Sequence, residues 1–274
     1  MNRFNVAYTG FTLLGKVIHG IGKQLRSPVF IIGTGRCGTT LLVDMLKTHT
    51  QLAGFPSEAN ELWHPKSHPF EKRSIETPPI TENPKQFTKL SIENWPTNHE
   101  QTIKQAFQGF FNIRAKSKLF FSKSAMTAFM VPKIKEIFPD ALFIHLFRNG
   151  TSVVESLVKK ECHRFIDRYS DKSVFEANCA QYWNDCILEI EKQKETYLNS
   201  DNYMEFSYER LCEQPRTILQ DISAFINVDA QGFTYDLSSV SSTNYKVGES
   251  MSSATEAKLL DIMKPAMKLK GYLN

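Results

Sequence analysis

Residues 28–40 read PVFIIGTGRCGTT. Pro28 to Ile32 are apolar without alternation, the mark of a strand covered on both faces. Glycines follow at 33, 35 and 38, and Thr39 and Thr40 open an apolar-periodic helix to about residue 48. Such a strand, turn and helix form an anion cradle, because the turn's amides and the positive end of the helix dipole converge. The nucleoside-triphosphate version of the loop has Gly, four residues, Gly, Lys and then Ser or Thr. Gly33 and Gly38 keep that spacing, but Thr39 stands where the lysine belongs and Arg36 brings charge from the other side. A dinucleotide turn fits poorly too: its acidic partner would fall near residue 55, and no clear second unit of that kind follows Glu58.

The pattern predicts strands at 28–33, near 51–55, at 119–122, 141–147 and 203–206. Helices are predicted at 39–48, 98–116, 126–138, from 151, at 173–197, 215–226 and 255–270. Residues 64–100 carry six prolines and read as loop, without a core element. Strands alternating with helices imply an α/β fold, a single P-loop-like domain whose central, mainly parallel sheet is flanked by helices. Ligands in such sheets sit at the carboxyl ends of the strands, which places sites just after residues 33, 122, 147 and 206.

The composition, 41% hydrophobic and 23% charged, is that of a globular protein. A net charge of +4 favours anionic ligands but forms no basic stripe interleaved with aromatics, so nucleic acid is not an expected partner. The five cysteines show no zinc or redox spacing; no metal is implied, and a reducing cytoplasm fits them. Cys179 and Cys186, seven apart, share a helix face and are expected in the core. No signal-peptide pattern or spanning segment is visible, and the expected location is cytoplasmic. Phe11, Leu14, Ile18, Ile21 and Leu25 recur at helical steps among basic residues, so residues 4–26 form a basic amphipathic helix. It packs either on its own domain or as a peripheral contact on an anionic membrane.

The segment FIIGTGRCGTTLL resembles the 5′-phosphosulfate loop of sulfotransferases that use 3′-phosphoadenosine-5′-phosphosulfate (PAPS), with the match falling on Arg36, Cys37, Gly38, Thr39 and Thr40. A second motif, RNGTSVVES, follows the 141–147 strand and places Arg148 and Ser156 as that family places its 3′-phosphate arginine and serine. An arginine fork and a helical hydroxyl suit a phosphate. FSKSAM resembles the family's lysine segment and would set Lys123 near the sulfuryl group. EFSYERLCEQP resembles a late family segment that would put Tyr208 on the adenine side, although Tyr208 can equally cap a helix or pack. The resemblance is closest to the tyrosylprotein-type and bacterial branch and spans about residues 28 to 272. It divides the chain into an N-terminal helix at 1–27 and a sulfotransferase domain at 28–274, in which 64–118 reads as an insertion shaping the acceptor pocket.

The resemblance implies sulfuryl transfer from PAPS, leaving 3′-phosphoadenosine-5′-phosphate (PAP), to a hydroxyl on a small-molecule, lipid or glycoside acceptor. Arg36 and Lys123 would stabilise the leaving phosphate, and a base must take the acceptor's proton. In the similar branch that base is a glutamate beyond the helix after the loop. Here that helix ends KTHTQ, lacking the family's proline, and Glu58 lies nearest the expected place. Glu61, His64 and His163 remain rivals. Trp63, Trp95, Phe107, Phe110 and Phe111 are expected to line an apolar acceptor pocket. Two other readings stay open: a P-loop kinase or phosphotransferase, and a non-catalytic PAPS- or PAP-binding module.

Overall fold

The apolar run at 29–32 is the middle strand of a five-stranded, all-parallel sheet. The structure, a computed structural model, describes residues 12, 13, 15, 23–56, 58–65, 83–116, 118–165, 171–243 and 253–274. In chain order the elements are β1 (Val29–Ile32), α1 (Thr39–Lys47), β2 (Leu52–Gly54), α2 (Asn60–Trp63), α3 (Pro84–Glu93), α4 (His99–Ile113), β3 (Leu119–Lys123) and α5 (Val131–Ile137). There follow β4 (Leu142–Phe147), α6 (Gly150–Phe165), α7 (Lys172–Tyr197), β5 (Tyr203–Ser207), α8 (Tyr208–Glu213), α9 (Pro215–Ile226) and α10 (Ser253–Leu269).

The strand order is β2-β3-β1-β4-β5. The chain leaves β1 toward one edge, returns through β3, and then crosses to build β4 and β5 on the other side. The order therefore reverses at β1, the place where open α/β sheets bind ligands. In register, Ile31 pairs with Lys123 and Ile32 with His145. The loops after β3, β1 and β4 thus leave side by side from one edge.

All four residues of β1 are buried, as a central strand covered on both faces requires. The Phe30 ring lies about 6 Å from those of Trp63, Phe107, Phe138 and Phe143. Phe55, Phe110 and Phe120 extend this aromatic layer under β1 and β3. Trp63, Phe107, Phe110 and Phe111 therefore fill core, and the expectation that they line an acceptor pocket is corrected: all four are buried, and the rings of Trp63, Phe107 and Phe110 lie against Phe30 or Phe120 of the sheet. Cys179 and Cys186 are fully buried on α7, as expected.

Two local expectations change. The stretch read as loop at 64–100 contains α3, whose Phe87 is buried. Pro84 opens this helix at a position where a missing N–H costs nothing, and the Asn83 side chain caps it by accepting from Gln86 N at 3.0 Å. The single helix expected at 126–138 is a 3₁₀ turn at Ala125–Phe129 followed by α5, with Pro132 in the first α-helical turn.

Most of residues 4–26, including Phe11, Leu14, Ile18 and Ile21, lies outside the described residues. The end of that stretch is tied to α4: the Lys23 carbonyl accepts from Gln108 at 2.7 Å and from Asn112 at 3.1 Å, and Leu25 N donates to Gln108 Oε1 at 2.9 Å. Among the described residues no helix is long and apolar enough to cross a membrane.

A partly buried polar cluster joins β4, β5, α7 and the residue after α10. His145 Nδ1 lies 2.7 Å from the Tyr203 hydroxyl, which donates to Glu205 at 2.9 Å, while Lys270 bonds Glu205 at 2.6 Å and Glu191 at 3.0 Å. Burial lowers the pKa of His145, and Lys270 pushes the same way against the pull of Glu205. Burial pulls Glu205 upward, but hydrogen bonds from His145 and Lys270 hold it well below the usual carboxylate range. An unfolded histidine takes its proton near 6.5 and the folded His145 only at lower pH, so acidification below that value favours the unfolded chain. The stability from Glu205 is present above the unfolded value of 4.5 and is lost as pH falls through the folded one. The melting temperature is therefore expected to drop between about pH 7 and about pH 5, and His145→Gln to flatten that drop. Parallel curves for the two proteins would contradict this.

Candidate active site

The β1–α1 loop is shaped by two glycines, Gly33 and Gly38, that nothing larger can replace. Gly33 has φ 152°, and a Cβ on it would lie 2.3 Å from the Leu146 carbonyl oxygen of β4. Gly38 has φ 101°, and a Cβ there would lie 2.3 Å from the Tyr208 ring. Between them Arg36 is itself left-handed, at φ 66°, a strained setting for an arginine that marks functional loops. Gly35 N donates to the Tyr182 hydroxyl at 3.0 Å, pinning the loop to α7.

Gly38 begins α1 without a side-chain cap, and no acidic residue occupies the first turn. The helix start is thus positive and suited to an anion. Thr39 is buried and Thr40 exposed in that turn. The Cys37 side chain is turned fully into the core, where burial pushes its thiol up to about 11. Only its backbone can meet a ligand, and its sulfur is no nucleophile.

The second motif converges on this loop. Arg148, at the end of β4, is buried; one guanidinium nitrogen donates to the Arg36 carbonyl at 3.2 Å and the other to Thr243 Oγ1 at 2.9 Å. Its guanidinium carbon stands 4.5 Å over the Tyr208 ring, a cation–π contact. Arg36 Nε donates to Ser156 Oγ on α6 at 3.1 Å. Five residues picked from separate motifs, Arg36, Gly38, Arg148, Ser156 and Tyr208, are thereby contiguous. Tyr208 opens α8, a helix not anticipated from the sequence, whose Ser207 cap accepts from Arg210 N at 3.1 Å. Thr243 was also missed; the only signal was the hydroxyl-rich run Ser238 to Thr243, which has no periodicity.

On the other side of β1, Lys123 at the end of β3 forms an ion pair with Glu58. Both remain partly accessible, the side chains 17% and 37% exposed respectively. Beside them Ser124 Oγ donates to Asn60 Oδ1 at 3.1 Å, a second tie between the same two segments. Ala59, between Glu58 and Asn60, is buried and left-handed at φ 54°, so the turn that presents Glu58 is held under strain. The short helix after it is moored by Trp95 Nε1 donating to the Trp63 carbonyl at 3.0 Å, and by His99 Nε2, 2.7 Å from the Leu62 carbonyl. The rival His64 is buried with its ring against Phe87 at 4.9 Å, facing the core. Glu61 falls in α2 and His163 in α6, and both side chains lie outside those described.

The sequence model of the Sulfotransferase family matches residues 28–232, three quarters of the chain. No curated protein matches the sequence. Among solved structures, the sulfotransferase domain from the curacin biosynthetic pathway is similar at 18% identity and TM-score 0.58, over 92% of this chain and 99% of that one. Sulfotransferase STF9 from Mycobacterium avium aligns at 10% identity and TM-score 0.61, over 96% and 81%. Mouse sulfotransferase SULT7A1, solved in complex with PAP, aligns at 13% identity and TM-score 0.50, over 94% and 89%. At such identities these likenesses establish the fold. With a five-stranded parallel sheet, a glycine loop after β1 and a family match over most of its length, the chain belongs to the sulfotransferase family.

Proposed function

We propose that the protein transfers the sulfuryl group of PAPS to a hydroxyl of a small-molecule acceptor, with Glu58 as general base. The observation that carries this reading is the Glu58–Lys123 ion pair, which stands at the β3 end beside the anion loop. A nucleotide with phosphates at both ends suits the residues on the other side of β1. Two arginines, the uncapped start of α1 and the hydroxyls of Ser156 and Thr243 converge there, and an aromatic ring lies beneath Arg148. That SULT7A1 is known with PAP agrees with this choice.

The donor supplies a sulfur electrophile whose bond to the 5′-phosphate oxygen breaks as the acceptor oxygen bonds to sulfur. Glu58 takes the hydroxyl proton, and the electron pair of the broken bond goes to the phosphate. Lys123, leaving its pairing with Glu58, and Arg36 offset the charge gained there. The amides after Gly38 and the hydroxyls of Thr39 and Thr40 orient the phosphate. Arg148, Ser156 and Tyr208 hold the far end of the nucleotide.

Phosphoryl transfer from ATP is less well served, since Thr39 occupies the lysine position and β4 ends in His-Leu-Phe, followed by Arg148, without a carboxylate for magnesium. Among the described residues no three His, Cys, Asp or Glu side chains converge as metal ligands. Turnover is therefore expected to be unchanged in excess chelator. Loss of activity restored by magnesium would transfer the reading to a phosphotransferase.

A further inference from the structure

The peptide joining Arg148 to Asn149 is gripped on both edges by side chains. Its carbonyl accepts from Trp183 Nε1 of α7 at 3.1 Å, and its N–H donates to Glu209 Oε1 of α8 at 3.1 Å. The second oxygen of Glu209 accepts from the Tyr272 hydroxyl at 2.7 Å, beyond α10. The Tyr272 ring also lies edge-on to Phe147, the residue before Arg148, with centroids 6.2 Å apart. Lys270, two residues earlier, covers the Phe147 ring at 5.0 Å. The segment after α10 thus closes around the end of β4 where the arginine leaves the sheet.

The transfer chemistry uses neither Glu209 nor Tyr272. A carboxylate close to an arginine meant for a phosphate opposes anion binding unless it has another task. Here its oxygens serve a backbone N–H and a phenol. Glu209 also follows directly on Tyr208, the platform under the guanidinium, so the first turn of α8 supplies both the ring and the backbone anchor. The Arg148 side chain is long, and a small rotation of its peptide would carry the guanidinium off that ring.

We propose that Glu209 and Tyr272 are positioning residues that lock the Arg148–Asn149 peptide, so that Arg148 is set in advance for the 3′-phosphate. Such pre-organisation lowers the ordering cost that binding would otherwise meet. The inference rests on Arg148 being the 3′-phosphate ligand.

The test is calorimetric titration of the full chain with PAP and with adenosine-5′-phosphate, for wild type, Tyr272→Phe, Glu209→Ala, Glu209→Gln and Arg148→Ala. Tyr272→Phe and Glu209→Ala are expected to weaken PAP about three- to tenfold, the range of one well-placed hydrogen bond, and to leave adenosine-5′-phosphate unchanged. Glu209→Gln keeps an oxygen for Asn149 N–H and is expected to retain most of the preference. A merely structural role would lower the melting temperature or weaken both nucleotides equally, and an unchanged ratio in Tyr272→Phe overturns the proposal. Should Glu209→Ala not fold, Tyr272→Phe keeps the ring against Phe147 and still decides the matter. If Arg148→Ala abolishes the preference while Tyr272→Phe and Glu209→Ala preserve it, the proposal fails and the 3′-phosphate reading stands. If wild type shows no preference, both fall.

Discussion

Glu58→Gln is expected to lower turnover by a factor of about 10² to 10⁴, the usual worth of a positioned general base, while PAP binds nearly as before. The substitution keeps the shape of the side chain and removes its capacity to take a proton. It also removes the ionic partner of Lys123. Nucleotide affinity should hardly change, because the carboxylate lies across β1 from Arg148 and Ser156. Glu61→Gln is the matched control and is expected to stay within a few-fold of wild type. Collapse of the Glu61 variant with near-normal Glu58→Gln would move the base three residues along the chain. Activity in both, with loss on substituting His163, would reject a carboxylate base.

The second large effect is on binding. Arg148→Ala is expected to erase most of the preference for PAP over adenosine-5′-phosphate, a difference of about 2–4 kcal/mol, or about 30- to 1000-fold. The size follows from burial: Arg148 is 7% exposed, so a phosphate meeting it is partly withdrawn from water. Titration of both nucleotides into both proteins measures it. An unchanged preference in the variant would remove Arg148 from the 3′-phosphate subsite.

The parts of the fold legible in the sequence were those where one physical signal acts alone. The unbroken apolar run at 29–32 could only be a strand covered on both sides, and expected sites after 33, 122, 147 and 206 lie within a residue of the ends of β1, β3, β4 and β5. The glycines at 33 and 38 announced the loop because their backbone angles and close approaches, to Leu146 and Tyr208, tolerate nothing larger. Where signals compete, the local sequence misleads. Pro84 looks like a breaker until Asn83 is seen to cap the helix that it begins. Phe107 and Phe110 are apolar at helical spacing, which says that they are covered but not by what; the sheet covers them. Thr243 reaches Arg148 across 95 residues, and Tyr272 reaches Glu209 across 63, through hydroxyls with no pattern. Such contacts are products of the assembled sheet and leave no local trace. The Glu58–Lys123 pairing is intermediate: both residues were picked separately, but their meeting across 65 residues is a property of the fold.

The most direct measurement follows two labels over one mixture of hydroxyl-bearing acceptors, sulfur-labelled PAPS in chelator and γ-phosphorus-labelled ATP with magnesium. Sulfur label is expected to pass to an acceptor, PAP to accumulate in equal amount, and Glu58→Gln to suppress the transfer, while phosphorus label stays on its nucleotide. Phosphorus label moving to the acceptor while sulfur label stays on PAPS would contradict this.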